Sequence, residues 1–171
     1  MKYIPSIYKK DIFNIPYDKL KEDGIKCLIF DLDNTLALLE DKECPVVVKE
    51  FIDRLKEDFF VLIITNNVRR RVVPYENTLG IPSISMAMKP LTRGLRMVQQ
   101  RYKFEKKEMV MIGDQIMTDV VSGNMFGIKT ILVDPLSQKD LKITSFNRYI
   151  ENKIVKRYSK KGIFKRGNYY G

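Results

Sequence analysis

A chain of 171 residues is a usual length for one domain, and a hydrophobic content of 44% is enough to pack a core. It carries 31 Lys and Arg against 21 Asp and Glu, a formal net charge of +10, and no histidine. Without imidazole there are no Ser-His-Asp hydrolases, HExxH metalloproteases or His-rich dinuclear metal centres to consider. Any catalysis must use carboxylates, lysines, hydroxyls and a metal ion.

Residues 1–24 hold Ile4, Ile7, Tyr8, Ile12, Phe13, Ile15 and Tyr17 among Pro5 and Pro16. They read as an arm packing on the core. Residues 25–31 read as the first strand, which runs directly into Asp31-Leu32-Asp33-Asn34-Thr35. Alternation along an extended segment puts Asp31 and Asp33 on the same side. They stand at the carboxyl end of a strand, where open α/β sheets place ligands. Two like charges that close repel unless a cation or a shared proton compensates. The expected compensator is Mg²⁺, a hard ion that takes oxygen ligands.

Residues 45–57 carry Val46, Val47, Phe51, Ile52 and Leu55 at helical spacing. Residues 59–65 form a continuous apolar run, as expected of a strand buried on both faces. A short helix follows Asn67, interrupted by or starting near Pro74. Residues 83–87 make a weak strand, and 91–102 a helix with Leu91, Leu95, Val98 and Tyr102 on one face. A strand over 108–112, a helix over 117–126 and a strand over 128–133 follow. Repeated βα units predict an α/β fold, a doubly wound, parallel, five-stranded Rossmann-like sheet over residues 25–141. Cys27 and the methionines Met86, Met88, Met109, Met111 and Met125 read as core filler. Cys44, before Pro45, reads as a loop or helix start.

The last 30 residues, 142–171, hold nine Lys and Arg and one acid, Glu151, so they carry +8 of the net +10. Ile143, Phe146, Ile150, Ile154 and Tyr158 fall near helical spacing, which predicts a basic amphipathic helix with a short aromatic end, its stripe either meeting an anionic membrane or packing on the protein's own sheet with its lysines solvated. Two cysteines make no disulfide framework. Near Met1 there is no apolar leader, and no run approaches about 18 apolar residues. The expected location is cytoplasmic, with the basic tail offering peripheral contact at the inner membrane surface.

Each strand end presents a suitable group. The first gives Asp31 and Asp33, the next Thr65-Asn66-Asn67, then Lys89-Pro90, then Gly113-Asp114 with Asp119 five residues on. A parallel sheet brings these ends to one edge, and the set suits phosphoryl transfer. Singly, each has a plainer reading, such as a helix cap or a surface lysine. The run Arg69-Arg70-Arg71 reads as a solvated helix start or as a cluster facing an anionic substrate.

DLDNTL, TNN, KP and GDQIMTD, in that order and each after a predicted strand, resemble the haloacid dehalogenase (HAD) superfamily of phosphotransferases. The last motif with its continuation to FNRYIENKIVKRYSKKG resembles the YqeG-type subgroup of class IIIA, and the likeness covers nearly the whole chain. It implies that Asp31 is the nucleophile and that Asp33 is the acid for the leaving oxygen. It implies Mg²⁺ on Asp31, the Asp33 carbonyl and Asp114. Thr65, Asn66 and Lys89 would bind phosphate, and Asp119 would support Lys89 or the metal shell.

Only 29 residues separate Thr35 from Thr65, and 23 separate Thr65 from Lys89. Neither gap holds a cap domain, so the resemblance implies a capless enzyme with an open site and a large substrate. The subgroup is similar to a fungal mitochondrial phosphatase that dephosphorylates phosphatidylglycerophosphate, and a basic tail suits an anionic membrane. A phosphoprotein substrate is one alternative. RNA or a ribosomal particle bound through Tyr158, Phe164, Tyr169 and Tyr170 is another.

Overall fold

The computed structural model describes residues 2–137 and 142–171, with the side chains of 142–148 left out. The predicted boundary at 141/142 and the first two members of the tail stripe, Ile143 and Phe146, fall outside the described residues or side chains.

Six strands form one parallel sheet: β1 (Ile7–Lys9), β2 (Cys27–Phe30), β3 (Phe60–Ile64), β4 (Ser83–Ile84), β5 (Met109–Gly113) and β6 (Lys129–Val133). Their order across the sheet is β1-β6-β5-β2-β3-β4. The five expected strands are present, and the sixth comes from the N-terminal arm, where Ile7 pairs with Ile131. Three residues are too few to show a period, which is why the arm hides a strand. Strand β4 is shorter than its predicted span because Met86 and Met88 adopt left-handed backbone (φ 50° and 58°), which ends the extended run.

The helices are α1 (Tyr17–Glu22), α2 (Val46–Leu55), α3 (Arg69–Leu79), α4 (Arg93–Tyr102), α5 (Val121–Phe126) and α6 (Lys142–Lys160). Pro74 lies inside α3. It denies the Arg70 carbonyl its helical donor, and Arg70 is exposed, so water can replace the bond. A π-helical turn, Ile116–Val120, precedes α5, which ends at Gly127 in the left-handed conformation (φ 85°). Leu91 is not on the buried face of α4: it belongs to the turn before the helix and is exposed, while Leu95 and Val98 are buried.

Alternation splits the core between the two faces of the sheet. Leu28, Phe30, Val61, Ile63, Val110 and Ile112 pack with Ile52, Leu55, Val72 and Leu79. Cys27, Ile29, Leu62, Ile64, Met109 and Met111 pack with Leu95, Val98 and Phe126. Burial pushes the Cys27 thiol up to about 12, so it stays inert. Met109 and Met111 are the core filler expected, but Met86, Met88 and Met125 are exposed.

A third cluster lies over the β1–β6 edge, where Tyr8, Leu132, Ile116 and Phe164 are buried, with Val155, Tyr158 and Tyr170 packed on them. Tyr8 and Tyr170 exchange backbone hydrogen bonds of 3.0 and 2.9 Å. The aromatic end of the tail thus packs on Tyr8, with ring centroids 5.4 Å (Phe164) and 4.9 Å (Tyr169) away. Glu151, a residue of α6, is buried, paired with Arg166 and accepting from the Ile116 amide. No helix among the described residues is long and apolar enough to cross a membrane.

The chain runs outward from β2 through β3 to β4, then returns to β5 on the other side of β2 and runs outward again to β6. The reversal of winding lies beside β2, and its carboxyl end is where such sheets bind ligands. One helix fills each connection, α2 between β2 and β3 and α3 between β3 and β4, and neither holds an inserted domain.

Candidate active site

Phe30 is level with Ile63 on one side and with Ile112 on the other. Asp31 lies one residue past this rung and Thr65 and Asp114 two, so the three groups leave the sheet at the same edge. The Asp31 amide still donates to the Ile112 carbonyl (2.8 Å), so the nucleophile candidate is fixed by the last rung of the sheet. The chain then turns tightly. Leu36 N donates to Leu32 O (2.9 Å), and Asn34, at φ 63°, donates to Ala37 O (2.8 Å). Asn tolerates this left-handed position better than most residues. Leu32 and Leu36 point into the core, and Asp31 stays at the buried floor of the site.

Lys89 is buried, and its ammonium has three acceptors: Asp31 Oδ1 at 2.6 Å, Asp119 Oδ1 at 2.6 Å and the Ile64 carbonyl at 3.0 Å. An ammonium has three donors, so all are used. Asn66 holds the lysine's backbone from both sides. It accepts from Lys89 N (2.6 Å) and donates to Lys89 O (2.9 Å). The side chain expected to bind phosphate is thus committed to positioning Lys89. Thr65 is buried, and its hydroxyl accepts from the Asn67 amide (3.1 Å). The Lys89-Pro90 peptide is cis.

Asp31, Asp114 and Asp119 are all buried and each offers an oxygen within 4.8 Å of the others. Thr35 donates to Asp114 at 3.3 Å, and the Gln115 amide donates to Asp119 at 3.1 Å. Burial pushes the Asp31 carboxyl well above the usual range; Lys89 opposes this, while Asp119 and Asp114 add to it. For Lys89, burial works to lower the value, but the Asp119 and Asp31 charges outweigh it and hold the ammonium raised and charged. Three carboxylates against one ammonium leave two formal negative charges among buried side chains, all on hard oxygen donors. That donor set fits a divalent cation such as Mg²⁺.

Asp33 differs from its partner in the motif. Its carboxyl is only partly buried and accepts from Arg71 Nε (3.0 Å) and Asn67 Nδ2 (3.0 Å). Arg71 also donates to the carbonyls of Leu38 (2.7 Å) and Asp41, so one guanidinium ties Asp33 to the loop before α2. Of the three arginines at the start of α3, Arg71 therefore has an internal role, while Arg69 and Arg70 are exposed. Arg71, Asn67 and Thr35 belong to the site with roles that the sequence does not assign: Arg71 and Asn67 hold Asp33, and Thr35 donates to Asp114. Their only signal is position: Thr35 and Asn67 sit inside the first two motifs, and Arg71 one helical turn beyond.

Gly113 explains how Asp119 comes so close. A Cβ at residue 113 would lie 2.3 Å from Asp119 Cγ and 2.7 Å from its Cβ. The short Asp119 side chain has no slack to yield, so Gly113→Ala must push it away from Lys89. We expect a stability loss of about 1–3 kcal/mol and a loss of most phosphatase activity, read by urea melts and phosphate release. Full activity in that variant would show that the Asp119–Lys89 contact is dispensable.

These groups leave the sheet in the order Asp31, Thr65, Lys89, Asp114, which is the order of the haloacid dehalogenase superfamily, and the protein is a phosphatase of that type. Within it, the chain belongs to the mitochondrial PGP phosphatase family, whose description matches residues 1–137. A probable phosphatase of Bacillus subtilis (strain 168), YqeG, is 38% identical over 161 residues, covering 94% of each chain. Phosphatidylglycerophosphate phosphatase 1 of Arabidopsis thaliana, chloroplastic/mitochondrial, is 26% identical over 171 residues, covering 94% of this chain and 49% of the plant protein.

Among solved structures, the cobalt-bound deoxy-D-mannose-octulosonate 8-phosphate phosphatase (YrbI) of Haemophilus influenzae matches with a TM-score of 0.51 and 16% identity, over 84% of this chain and 95% of that one. An uncharacterized protein of Listeria monocytogenes serotype 4b matches at 0.56 and 17%, over 68% and 85%. At these identities the two structures speak for the fold.

Proposed function

We propose that the protein removes the terminal phosphate of phosphatidylglycerophosphate at an anionic membrane surface, with Mg²⁺ as cofactor. The observation that carries the chemistry is the buried cluster of Asp31, Asp114 and Asp119 around Lys89. Asp31 attacks phosphorus, the bond to the lipid oxygen breaks, and an aspartyl-phosphate forms. Asp33 gives a proton to the departing alkoxide. Asp33 then takes a proton from a water that attacks the aspartyl-phosphate, which releases inorganic phosphate and restores Asp31.

Thr65 and Lys89 hold the phosphoryl oxygens; Asn66 positions Lys89, and Asp119 keeps its ammonium aimed. Asp31, Asp114 and the Asp33 carbonyl would hold Mg²⁺, which supplies the positive charge that lets an anionic nucleophile meet an anionic substrate. Arg71 and Asn67 fix the carboxyl of Asp33 between turnovers.

The substrate is supported by two features. The family's described members include phosphatidylglycerophosphate phosphatases. The site also has no cap and stands open, which suits a phosphate borne on something large. The aromatic side chains of the tail pack on Tyr8, so stacking with RNA bases would first have to undo that packing. The test is phosphate release from phosphatidylglycerophosphate in mixed micelles, with Mg²⁺ or EDTA, beside soluble phosphomonoesters and a phosphopeptide. Mg²⁺-dependent release preferring the lipid is expected. Turnover of the phosphopeptide alone would replace the lipid reading.

A further inference from the structure

Four large apolar side chains stand exposed on the two loops that deliver Thr65, Asn66 and Lys89. They are Val68 (50% exposed), Met86 (66%), Met88 (56%) and Leu91 (54%). Backbone bonds join them into one rim. Met86 N donates to the carbonyl of Asn67, next to Val68 (2.9 Å); Ala87 N donates to Thr65 O (3.0 Å); Leu91 N donates to Met88 O (2.9 Å).

Left-handed backbone at Met86 and Met88 is uncommon for a residue with a Cβ. Burial alternates along this stretch, with Ala87 and Lys89 inward and both methionines outward. Backbone outliers of this kind cluster at functional sites. Exposed arginines flank the rim: Arg70 follows Val68 by two residues and Arg93 follows Leu91 by two, while Arg69, between Val68 and Arg70, is paired with Glu76 and donates to Ser83.

We propose that this rim is the surface by which the protein docks on an anionic lipid bilayer, with Met86, Met88 and Leu91 entering the boundary between headgroups and acyl chains. The proposal rests on the lipid reading above and says which face meets the membrane. A lipid phosphate lies one short headgroup from the apolar layer, so the surface beside Lys89 must reach that layer. An apolar centre edged by arginines matches the order of acyl and phosphate layers. Unbranched methionines adapt to a fluid surface.

Elsewhere the fit is poorer. The loop before α2, on the Asp33 side, exposes Glu40 and Glu43, which an anionic surface repels. The stripe of α6 is half-buried at Ile150, Ile154, Val155 and Tyr158, with the last two packed over the β1–β6 edge. The tail's exposed lysines draw the protein toward the membrane, and the methionine rim inserts.

The test uses the full chain and vesicles of phosphatidylglycerol with phosphatidylcholine, beside phosphatidylcholine alone. The double variant Met86→Ser/Met88→Ser should bind the anionic vesicles at least about tenfold more weakly. It should lose vesicle-borne lipid turnover in parallel and keep soluble p-nitrophenyl phosphate turnover. The chain has no tryptophan, so Met88→Trp provides a lone indole. Its emission should shift to the blue on anionic vesicles and be quenched by brominated acyl chains.

Undiminished vesicle binding by the double variant, or a Met88→Trp indole that stays in water on bound protein, overturns the rim. A loss confined to a phosphoprotein substrate also overturns it, in favour of a protein partner. Rim-dependent vesicle binding without lipid turnover keeps the surface and removes the substrate reading instead.

Discussion

Asp31→Asn is expected to lose turnover by about four orders of magnitude or more, the loss seen when a covalent nucleophile is removed, while the fold survives. An amide cannot form the acyl-phosphate, and none of the other carboxylates stands in its place: Asp114 and Asp119 are more deeply buried than Asp31, and Asp33 is bound to Arg71. The fold survives because the change removes a charge from a crowded site. In EDTA the variant should melt no lower than the natural chain.

The pH dependence has a definite sign. The folded chain holds the Asp31 proton more tightly than the unfolded one does, since burial raises the carboxyl well above its ordinary value of 3.8. That contribution to stability is fully present below the unfolded value and is lost as pH rises through the folded one. Without metal, the natural chain should therefore lose stability relative to Asp31→Asn as pH climbs from acid toward neutrality. Melting curves in EDTA across that range, with phosphate release at neutral pH, check both halves. Retained turnover in the variant would remove Asp31 from the mechanism.

Lys89→Met should damage stability and activity together. The methylene stem is replaced, but Asp31 and Asp119 lose the ammonium that each meets at 2.6 Å. Removing one partner of a buried ion pair costs about 3–5 kcal/mol, because the remaining charge has nowhere to go. Turnover should fall by about 10²–10³, the usual effect of deleting one group that stabilises developing charge. Mg²⁺ should restore part of the stability by supplying positive charge to the same oxygens, but not the turnover. Urea unfolding with and without Mg²⁺ reads the first effect and single-turnover phosphate release the second. A Lys89→Met variant as stable and as fast as the natural chain would mean that the buried contact does nothing.

The strand-end carboxylates were legible because they are a local pattern: an apolar strand, then Asp31 and Asp33 at a spacing of two. The same holds for Lys89 and Asp114, each following a predicted strand. What was not legible depends on where distant backbone returns. Arg71 could not be assigned to Asp33 before the loop carrying Leu38 and Asp41 was known to pass its guanidinium.

Asn66 has the chemistry to bind phosphate, and only the approach of Lys89 uses it up. Leu91 fits the spacing of α4 but lies two residues before its first turn, so periodicity misassigned it. Met86 and Met88 looked like core because methionine often is. Their exposure and their left-handed backbone are invisible to composition. Strand β1 is too short to have a period, and its partner lies 124 residues away.

The two margins of the sheet carry a last consequence. An open margin offers unpaired amides and carbonyls to any passing extended chain, the usual seed of aggregation. Here one margin, β4, is only two residues long. At the other, Tyr170 occupies the outward-facing bonds of Tyr8, so the chain's own last residues close the template. A molecule that displays methionines beside its active site is in this way kept from joining its neighbours strand to strand, and what stickiness it retains is confined to side chains.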